Sequence, residues 1–500
     1  MRLSKLVRSV RGCQVVYDGQ WERDIQDLTI DSRQVRHGAL FFCLVGGSVD
    51  GHAYATDAVK RGAVAIVCER KLDISVPQLI VSDARLAVAL LSSVFYGEPS
   101  ERMKVVGITG TNGKTTTAHM LASIFEASGK KTGVIGTLGV RYADRYLPCD
   151  FTTPDPIFLQ KTLSEMLAAG VECVVMEVSA HALYYKKTAG VRFCACIFTN
   201  ATQDHLDFFG NMQAYKQAKG ELFTTSVCPI AVLNGDDPFG REIGEKRERE
   251  QEKSSEWGVK TCYYALQTPA DAFAIVTDES LDGSECVLNI NDGLCRVSLA
   301  LAGRHNIYNA LAAAVCAVEL QIDTDRIGAG LNRLKSVRGR LERVGEHRGA
   351  RVLVDFAHTP DGLEQSLRTL RKHCKGRLIC LFGCGGNRDK EKRPLMGETV
   401  AKNCDFSVLT SDNPRYEDPL DILSEIERGY RRFSMRYVVV PDRKKAIAYA
   451  LDYLQADDIL LVAGKGGEEY QEIMGIKYPF NDNDIIAEMI SPCQAKTRYK

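Results

Sequence analysis

Neither sign of charge is in excess in this chain: Lys plus Arg and Asp plus Glu each number 64. Such a balance supplies no long-range attraction toward a polyanion or an anionic bilayer, so a nucleic-acid role is disfavoured. Missing too is any uninterrupted apolar run long enough to cross a bilayer. The basic N-terminus is followed by no apolar stretch of the kind a secretory signal needs, and no membrane insertion is expected. The 17 cysteines are odd in number and include no Cys-x-x-Cys pair; Cys173, Cys316 and Cys380 lie inside apolar runs. They read as small buried hydrophobes in a reducing compartment, which makes the cytoplasm the simplest location.

What is present is organised around residues 105–116, VVGITGTNGKTT, which pass from a β-branched apolar run through glycines into helix-forming sequence. In a loop of this kind the glycines let backbone N–H groups converge on phosphate oxygens, Lys114 adds a positive charge, and the Thr115 hydroxyl can ligate magnesium. The helix expected from Thr116 to about Ser128 points the positive end of its dipole at the same anion. The strict P-loop spacing is lacking, because Ile108 stands where a glycine is required and Gly107 and Gly110 flank it. A glycine-rich turn with an incidental lysine is the plainer alternative. The order of strand, Gly-Lys-Thr and helix weighs against it.

Five hundred residues exceed one ordinary core, and two to four domains are the starting expectation. Residues 1 to about 100 alternate short strand-like and helical runs and end at the proline-containing link 96–100. From 101 to 337, apolar runs such as 133–137, 173–178, 195–199 and 230–233 alternate with helical sequence. That pattern predicts a central P-loop-type domain with a parallel sheet covered on both faces. Glu177, Asn200 and Asn234 fall at its strand ends, where the chemistry of such sheets collects. The charged run 241–253 is expected to be a solvated helix or excursion. After residue 338 the alternation restarts at 351–355, 378–382, 406–410 and 459–463, predicting a Rossmann-like C-terminal domain to residue 500. Each of these strands opens into a polar loop, and four polar loops at one sheet edge suggest a binding site. The fold class is therefore α/β in three domains.

With the phosphate loop nearby, Glu177 becomes a candidate magnesium ligand beside Thr115; alone it would read as a cap or an ion-pair partner. His205 is a further candidate, although a histidine in a helix N-terminal turn is usually structural.

GTNGKTT at 110–116, MEVSAHAL at 176–183, NATQDHLD at 200–207, YKQAK at 215–219 and GRHNIYNALAA at 303–313 together resemble the Mur ligase family. Within it, the resemblance is greatest to the members that add the third residue of the peptidoglycan stem peptide. It implies an ATP-dependent, monomeric ligase that joins meso-diaminopimelate to UDP-MurNAc-L-Ala-D-Glu through an acyl phosphate. The setting would be peptidoglycan precursor synthesis, and hence cell-wall growth, shape and division. It implies catalytic roles for Lys114, Glu177, His205 and Lys219, with Lys219 carbamylated by CO₂ so that, with His205, it holds a second Mg²⁺. Unmodified, Lys219 would be an ordinary helix-surface cation.

The resemblance further implies that ATP, as co-substrate, is bound by Gly110, Thr111, Asn112, Gly113, Lys114, Thr115 and Thr116, by Asn306 and Asn309 at adenine and ribose, and by Arg340 and Asp355, with His358 beside them. The sugar nucleotide would meet Ser32, Gly47, Ser48 and Val49 in the first domain and Thr152, Thr153 and Ser179 in the second. Tyr185 and Lys187 stand where the family commonly has glutamine and arginine, and Lys187 keeps the charge without the bidentate fork. Asp412-Asn413-Pro414-Arg415, with Arg388, Gly464 and Glu468, resembles the diaminopimelate pocket. A guanidinium suits the distal carboxylate and carboxylates suit the distal ammonium. Gly467 departs from the family's usual histidine. Within the cluster 388–393, Glu391 and Lys392 are expected to be solvated. The rivals are another Mur ligase, a folylpolyglutamate synthetase-like enzyme, or a nucleotide switch that only binds ATP.

Overall fold

The computed structural model describes residues 1–8, 14–16, 23–47, 49–253 and 258–490. Three separate sheets carry the chain, with a small hairpin at 470–479. In the first, five strands run in the order 14–16, 78–80, 63–68, 39–42 and 27–29, parallel except for the first. Helix Ala84–Phe95, capped by the Asp83 carboxylate on the Leu86 N–H at 2.9 Å, covers this sheet with Leu91 and Val88. The chain leaves at Glu98, whose φ of 51° turns it into Pro99 and the central sheet.

Eleven strands form the central sheet. Its middle is parallel, in the order 260–264, 230–234, 195–198, 104–109, 173–177 and 132–136. These strands are almost wholly buried because helices cover both faces, among them Lys114–Ala127 and the alanine-rich Arg304–Glu319 on one side. The expected parallel sheet thus exists, but antiparallel pairing extends it at both edges: strands 139–142 and 145–147 on one, and on the other the meander 272–299, whose first strand joins in parallel and whose next two are antiparallel. That meander alternates buried Cys286, Leu288 and Ile290 with exposed Glu285 and half-buried Val287 and Asn289, the period-two pattern of a sheet with one wetter face.

The charged run 241–253 belongs to helix Pro238–Lys253 and is not wholly solvated. Arg247 is buried, and its guanidinium donates to the carbonyls of Phe223, Cys228, Pro229 and Lys260 at 2.7–3.2 Å. Those four acceptors satisfy the donors that burial would otherwise strand.

The third sheet orders its strands 342–347, 350–355, 459–463, 378–382, 406–409 and 437–439, all parallel but the first. Apolar clusters fill both of its faces. The carboxyl ends of the central and third sheets face one cavity of about 760 Å³, lined by residues from both.

Candidate active site

The strand Lys104–Thr109 delivers the phosphate loop into helix Lys114–Ala127. Gly110 and Gly113 have φ of 154° and 88°, and a Cβ on them would lie 1.8 Å from Thr199 Oγ1 and 2.4 Å from Asn309 Oδ1. Only glycine fits at both. The Lys114 Nζ donates to the carbonyls of Gly110 and Thr111, each at 2.8 Å. Thr115 Oγ1 donates to the Glu177 carboxylate, 3.0 Å from both oxygens, and accepts from Arg340 Nη2 at 2.8 Å. Glu177 is buried and also accepts from the N–H and hydroxyl of Thr137 at 2.9 and 3.0 Å. The hydroxyl and carboxylate oxygens so assembled are hard donors in contact, a set that fits magnesium.

Lys219 projects from helix Met212–Gly220 and is 1% exposed, so it is no surface cation. Its Nζ donates to Gly110 O at 2.9 Å and lies 4.5 Å from the Tyr215 ring centroid. Burial first, and the Lys114 charge second, pull its pKa well below the ordinary lysine value. His205 takes a left-handed φ of 57° and sets its Nε2 3.3 Å from Asp204 Oδ2. Burial pushes its pKa down to about 3. Among the described residues no group of three or more His, Cys, Asp or Glu stands ready to hold a metal.

Asp204, which the sequence offers only as a neighbour of His205, joins the two halves of the site. It is buried, with Lys392 Nζ 3.4 Å and His358 Nε2 3.8 Å away. Burial opposes its charge, but Lys392, His205 and His358 outweigh burial and hold the carboxyl below the usual range. The expectation that Lys392 is solvated is thereby corrected: a partner 188 residues away draws it inward. Glu391 is exposed, as expected. A second cross-link, equally invisible in the sequence, runs from Asn112 Nδ2 in the phosphate loop to Asp361 Oδ2 at 2.8 Å.

Farther along the cavity, Asn309 Nδ2 donates to Asn306 Oδ1 at 3.1 Å, and Asn306 Nδ2 donates to Ala302 O at 2.8 Å. Opposite them, the Asp236 carboxylate accepts from Tyr308 Oη, Leu266 N, Gln267 N and Thr268 N at 2.7–3.0 Å and so shapes the 264–268 loop. Asp355 accepts from Leu341 N, Ala357 N and Ser366 Oγ, and the Arg340 guanidinium covers the Phe356 ring at 4.4 Å.

Thr152 and Ser179 line the cavity, and Thr153 links its wall by donating to Glu177 O at 2.9 Å and accepting from Ser179 N at 3.0 Å. Lys187 donates to Thr153 O at 3.3 Å, and Tyr185 faces the Arg85 guanidinium at 4.3 Å. Ser32 sits in a short turn capped by Asp31, while Gly47 and Val49 lie in an exposed loop. None of Ser32, Gly47, Val49, Tyr185 and Lys187 lines this cavity. Ser48 lies outside the described residues.

At the far end, Arg388, Asp412, Asn413, Arg415, Gly464 and Glu468 line the same cavity. Pro414 stands behind them, where a Cβ on Gly386 would meet its carbonyl at 1.9 Å. Arg415 holds a φ of 53°; its Nε lies 3.1 Å from Glu472 Oε2, and its Nη1 donates to Gly386 O at 2.8 Å. Burial, then the like charge of Arg415, lowers the pKa of Arg388. A Cβ on Gly464 would lie 2.5 Å from Asp412 Oδ2, so glycine there lets the carboxylate close on the strand end. A Cβ on Gly467 would lie 2.8 Å from Leu138 Cδ2 and 3.2 Å from Arg338 Cγ, so the imidazole of the family pattern would require these two side chains to move.

Three family models match the chain: the Mur ligase family catalytic domain over residues 24–92, the Mur ligase middle domain over 108–317, and the Mur ligase glutamate ligase domain over 339–466. The chain is 41% identical over 492 residues to the UDP-N-acetylmuramoyl-L-alanyl-D-glutamate--2,6-diaminopimelate ligase of Geobacillus kaustophilus (strain HTA426), an alignment covering 97% of this chain and 98% of the relative. A solved structure of a ligase of the same name superposes with a TM-score of 0.68 at 29% identity, covering 98% of each chain. The MurF ligase of Thermotoga maritima in complex with ADP shares the fold, with a TM-score of 0.62 at 20% identity over 93% of this chain and 97% of that one.

Proposed function

The chain belongs to the Mur ligase family, and from that premise we propose that it is an ATP-dependent ligase of the MurE type, which adds meso-diaminopimelate to UDP-MurNAc-L-Ala-D-Glu in peptidoglycan precursor synthesis. One observation carries this reading: the phosphate loop and the loops around Arg415 and Glu468 open into a single cavity of about 760 Å³. A phosphorylated carboxylate and an attacking amine can meet only where both ends share one space. The three sheets support a division into a UDP-sugar-binding domain at 1–100, an ATP-binding domain at 101–337 and an amino-acid-binding domain at 338–500.

In the reaction, a carboxylate oxygen of the dipeptide attacks the γ-phosphorus of ATP and ADP leaves, giving an acyl phosphate. The free amine of diaminopimelate then attacks the acyl carbon, phosphate departs, and the amine proton is lost. Lys114 and the loop N–H groups hold the charge of the transferring phosphoryl group. Thr115 and Glu177 are assigned as ligands of one Mg²⁺. His205 and Lys219, the latter as a carbamate, are assigned to a second. Magnesium at these positions supplies charge neutralisation for phosphoryl transfer. The buried amine of Lys219 supports carbamylation, because CO₂ adds only to a neutral amine and burial favours that form. Asn306, Asn309, Arg340 and Asp355 are assigned to the nucleotide. Thr152, Thr153 and Ser179, with the first-domain residues at 32 and 47–49, are assigned to the sugar nucleotide. The enzyme is proposed to act as a cytoplasmic monomer; no helix among the described residues is long and apolar enough to cross a membrane.

The deciding assay is phosphate release from ATP and Mg²⁺. Release that requires both the UDP-dipeptide and meso-diaminopimelate is the expected result. Release without either, as a nucleotide switch would give, sinks the reading.

A further inference from the structure

Behind the amine pocket stands a cation that forms no part of the cavity wall. Lys465 is wholly buried, with its Nζ 2.9 Å from Glu468 Oε2, 3.0 Å from Asn413 Oδ1 and 4.0 Å from Asp412 Oδ1. Its three neighbours line the cavity; Lys465 does not. A buried ammonium is tolerated only when paired and hydrogen-bonded, and these contacts meet that demand. They also bind the two loop tips together, as the fully buried Arg443–Asp482 pair does at the loop roots. There Arg443 donates to Ser411 O at 3.3 Å and to Ala463 O at 3.0 Å.

Two consequences follow from that placement. First, Lys465 and Asn413 Nδ2 both bind Glu468 Oε2, at 2.9 Å each, so Oε1 is the oxygen available to a ligand. Asn413 is likewise fixed, since its Oδ1 accepts from both Lys465 and the Glu472 N–H. Second, Lys465 completes a balance of charge. Arg388, Arg415 and Lys465 stand among Asp412, Glu468 and Glu472, and the charges just beyond them are themselves paired, Arg443 with Asp482 and Lys392 with Asp204, with Asp207 facing Arg388. A neutral pocket suits a head group that carries ammonium and carboxylate together, whereas a lone ammonium brings a charge with no counterpart.

We propose that Lys465 is a positioning residue that orients Asn413 and Glu468 and balances the pocket, so that it takes a zwitterionic amino-acid head in preference to a lone primary ammonium. The proposal rests on the assignment of diaminopimelate as the amine substrate. It is tested by steady-state kinetics of the full-length enzyme, K465M and K465R with meso-diaminopimelate and with L-lysine. K465M is expected to lower kcat/KM for diaminopimelate about tenfold, mainly through KM, and to erode the preference over L-lysine by a similar factor. The KM for ATP is expected to stay within about twofold. K465R, which keeps the charge but not the compact three-way geometry, is expected to raise KM while retaining the preference. Equal losses on both amines in K465M overturn the proposal. So does loss of the preference in K465R, which decides the matter even where K465M does not fold. Failure of the unmodified enzyme to use diaminopimelate would instead overturn the substrate assignment itself.

Discussion

At the phosphate-loop end of the cavity, Gly110 and Gly113 hold positive φ and Lys114 turns back onto the carbonyls of its own loop. At the amine end, Arg415 and Glu468 are each held by another side chain, Glu472 and Lys465. The first end is built mainly from backbone; the second is a lattice of charges. A residue removed from the first end takes away a contact that every turnover needs. One removed from the second leaves a charged partner behind, and so alters which amine is preferred as well as how fast it reacts.

The most severe way to probe the contrast is K114M. With the ammonium gone, phosphate release is expected to fall by about 10²–10³-fold, the scale of losing one preorganised donor to a developing charge. The loss should be the same for any amine offered. A loss that differed between diaminopimelate and L-lysine would break the comparison, because it would couple the loop to amine choice. At the other end, R415A is expected to lower kcat/KM for diaminopimelate by roughly 10²-fold, through loss of the carboxylate's partner and exposure of an unpaired Glu472, with the KM for ATP little changed. An equal loss with every amino acid would refute the role given to Arg415.

The two ends also differed in how far the sequence disclosed them. The phosphate loop was legible because it is local: strand, glycines, lysine and helix are contiguous, and their backbone geometry follows from residue type. The four polar loops of the third sheet were legible as a group for the same reason, each directly following an apolar strand. What the sequence hid are the pairs that close the site, Lys392 with Asp204, Asn112 with Asp361 and Lys465 with Asn413, separated by 188, 249 and 52 residues. Each member is a common polar residue in a polar stretch, and nothing local separates a buried Lys392 from an exposed Glu391. The antiparallel meander at 272–299 was hidden differently, its alternation falling outside the apolar runs that marked the parallel strands.

A change that acts on stability sharpens the backbone side of the comparison. Alanine at Gly113 must adopt a φ of 88° with its Cβ 2.4 Å from Asn309 Oδ1. Strain at such a position costs about 1–3 kcal/mol, to be read as a lower denaturation midpoint in urea. Asn309 is buried, with its Oδ1 accepting from Thr117 Oγ1 and its Nδ2 donating to Asn306 Oδ1, so relief of the clash must break one of these bonds; G113A is expected to fold with that lower midpoint while losing protection by ATP against thermal unfolding. Undiminished protection would show that the loop tolerates displacement, and that its backbone is not the exacting element it is taken to be.

The smallest expected effect is on the pH dependence of stability, and it too belongs to the phosphate-loop end. His119 lies on the helix that follows the loop, where burial, then the charges of Arg141 and Arg340, lowers its pKa from 6.5 to about 4. Between those values the unfolded chain binds a proton that the folded chain refuses, so this group's contribution is fully present above pH 6.5 and is lost as the pH falls toward 4. The half-buried His181 and His358 are shifted in the same direction, and carboxylates held below their usual range, among them Asp204 and Asp412, add to the acid sensitivity at the lower end of this window. Replacing His119 with glutamine is therefore expected to flatten the fall in unfolding free energy between pH 6.5 and 4 by up to one proton. K465R, made in the charge lattice of the amine end, is expected to leave the slope in that window unchanged. Urea titrations at half-unit pH steps distinguish the two. An H119Q slope equal to that of the unmodified protein would mean that His119 takes up its proton in the folded state, and that the helix behind the phosphate loop is less closed to water than its packing requires.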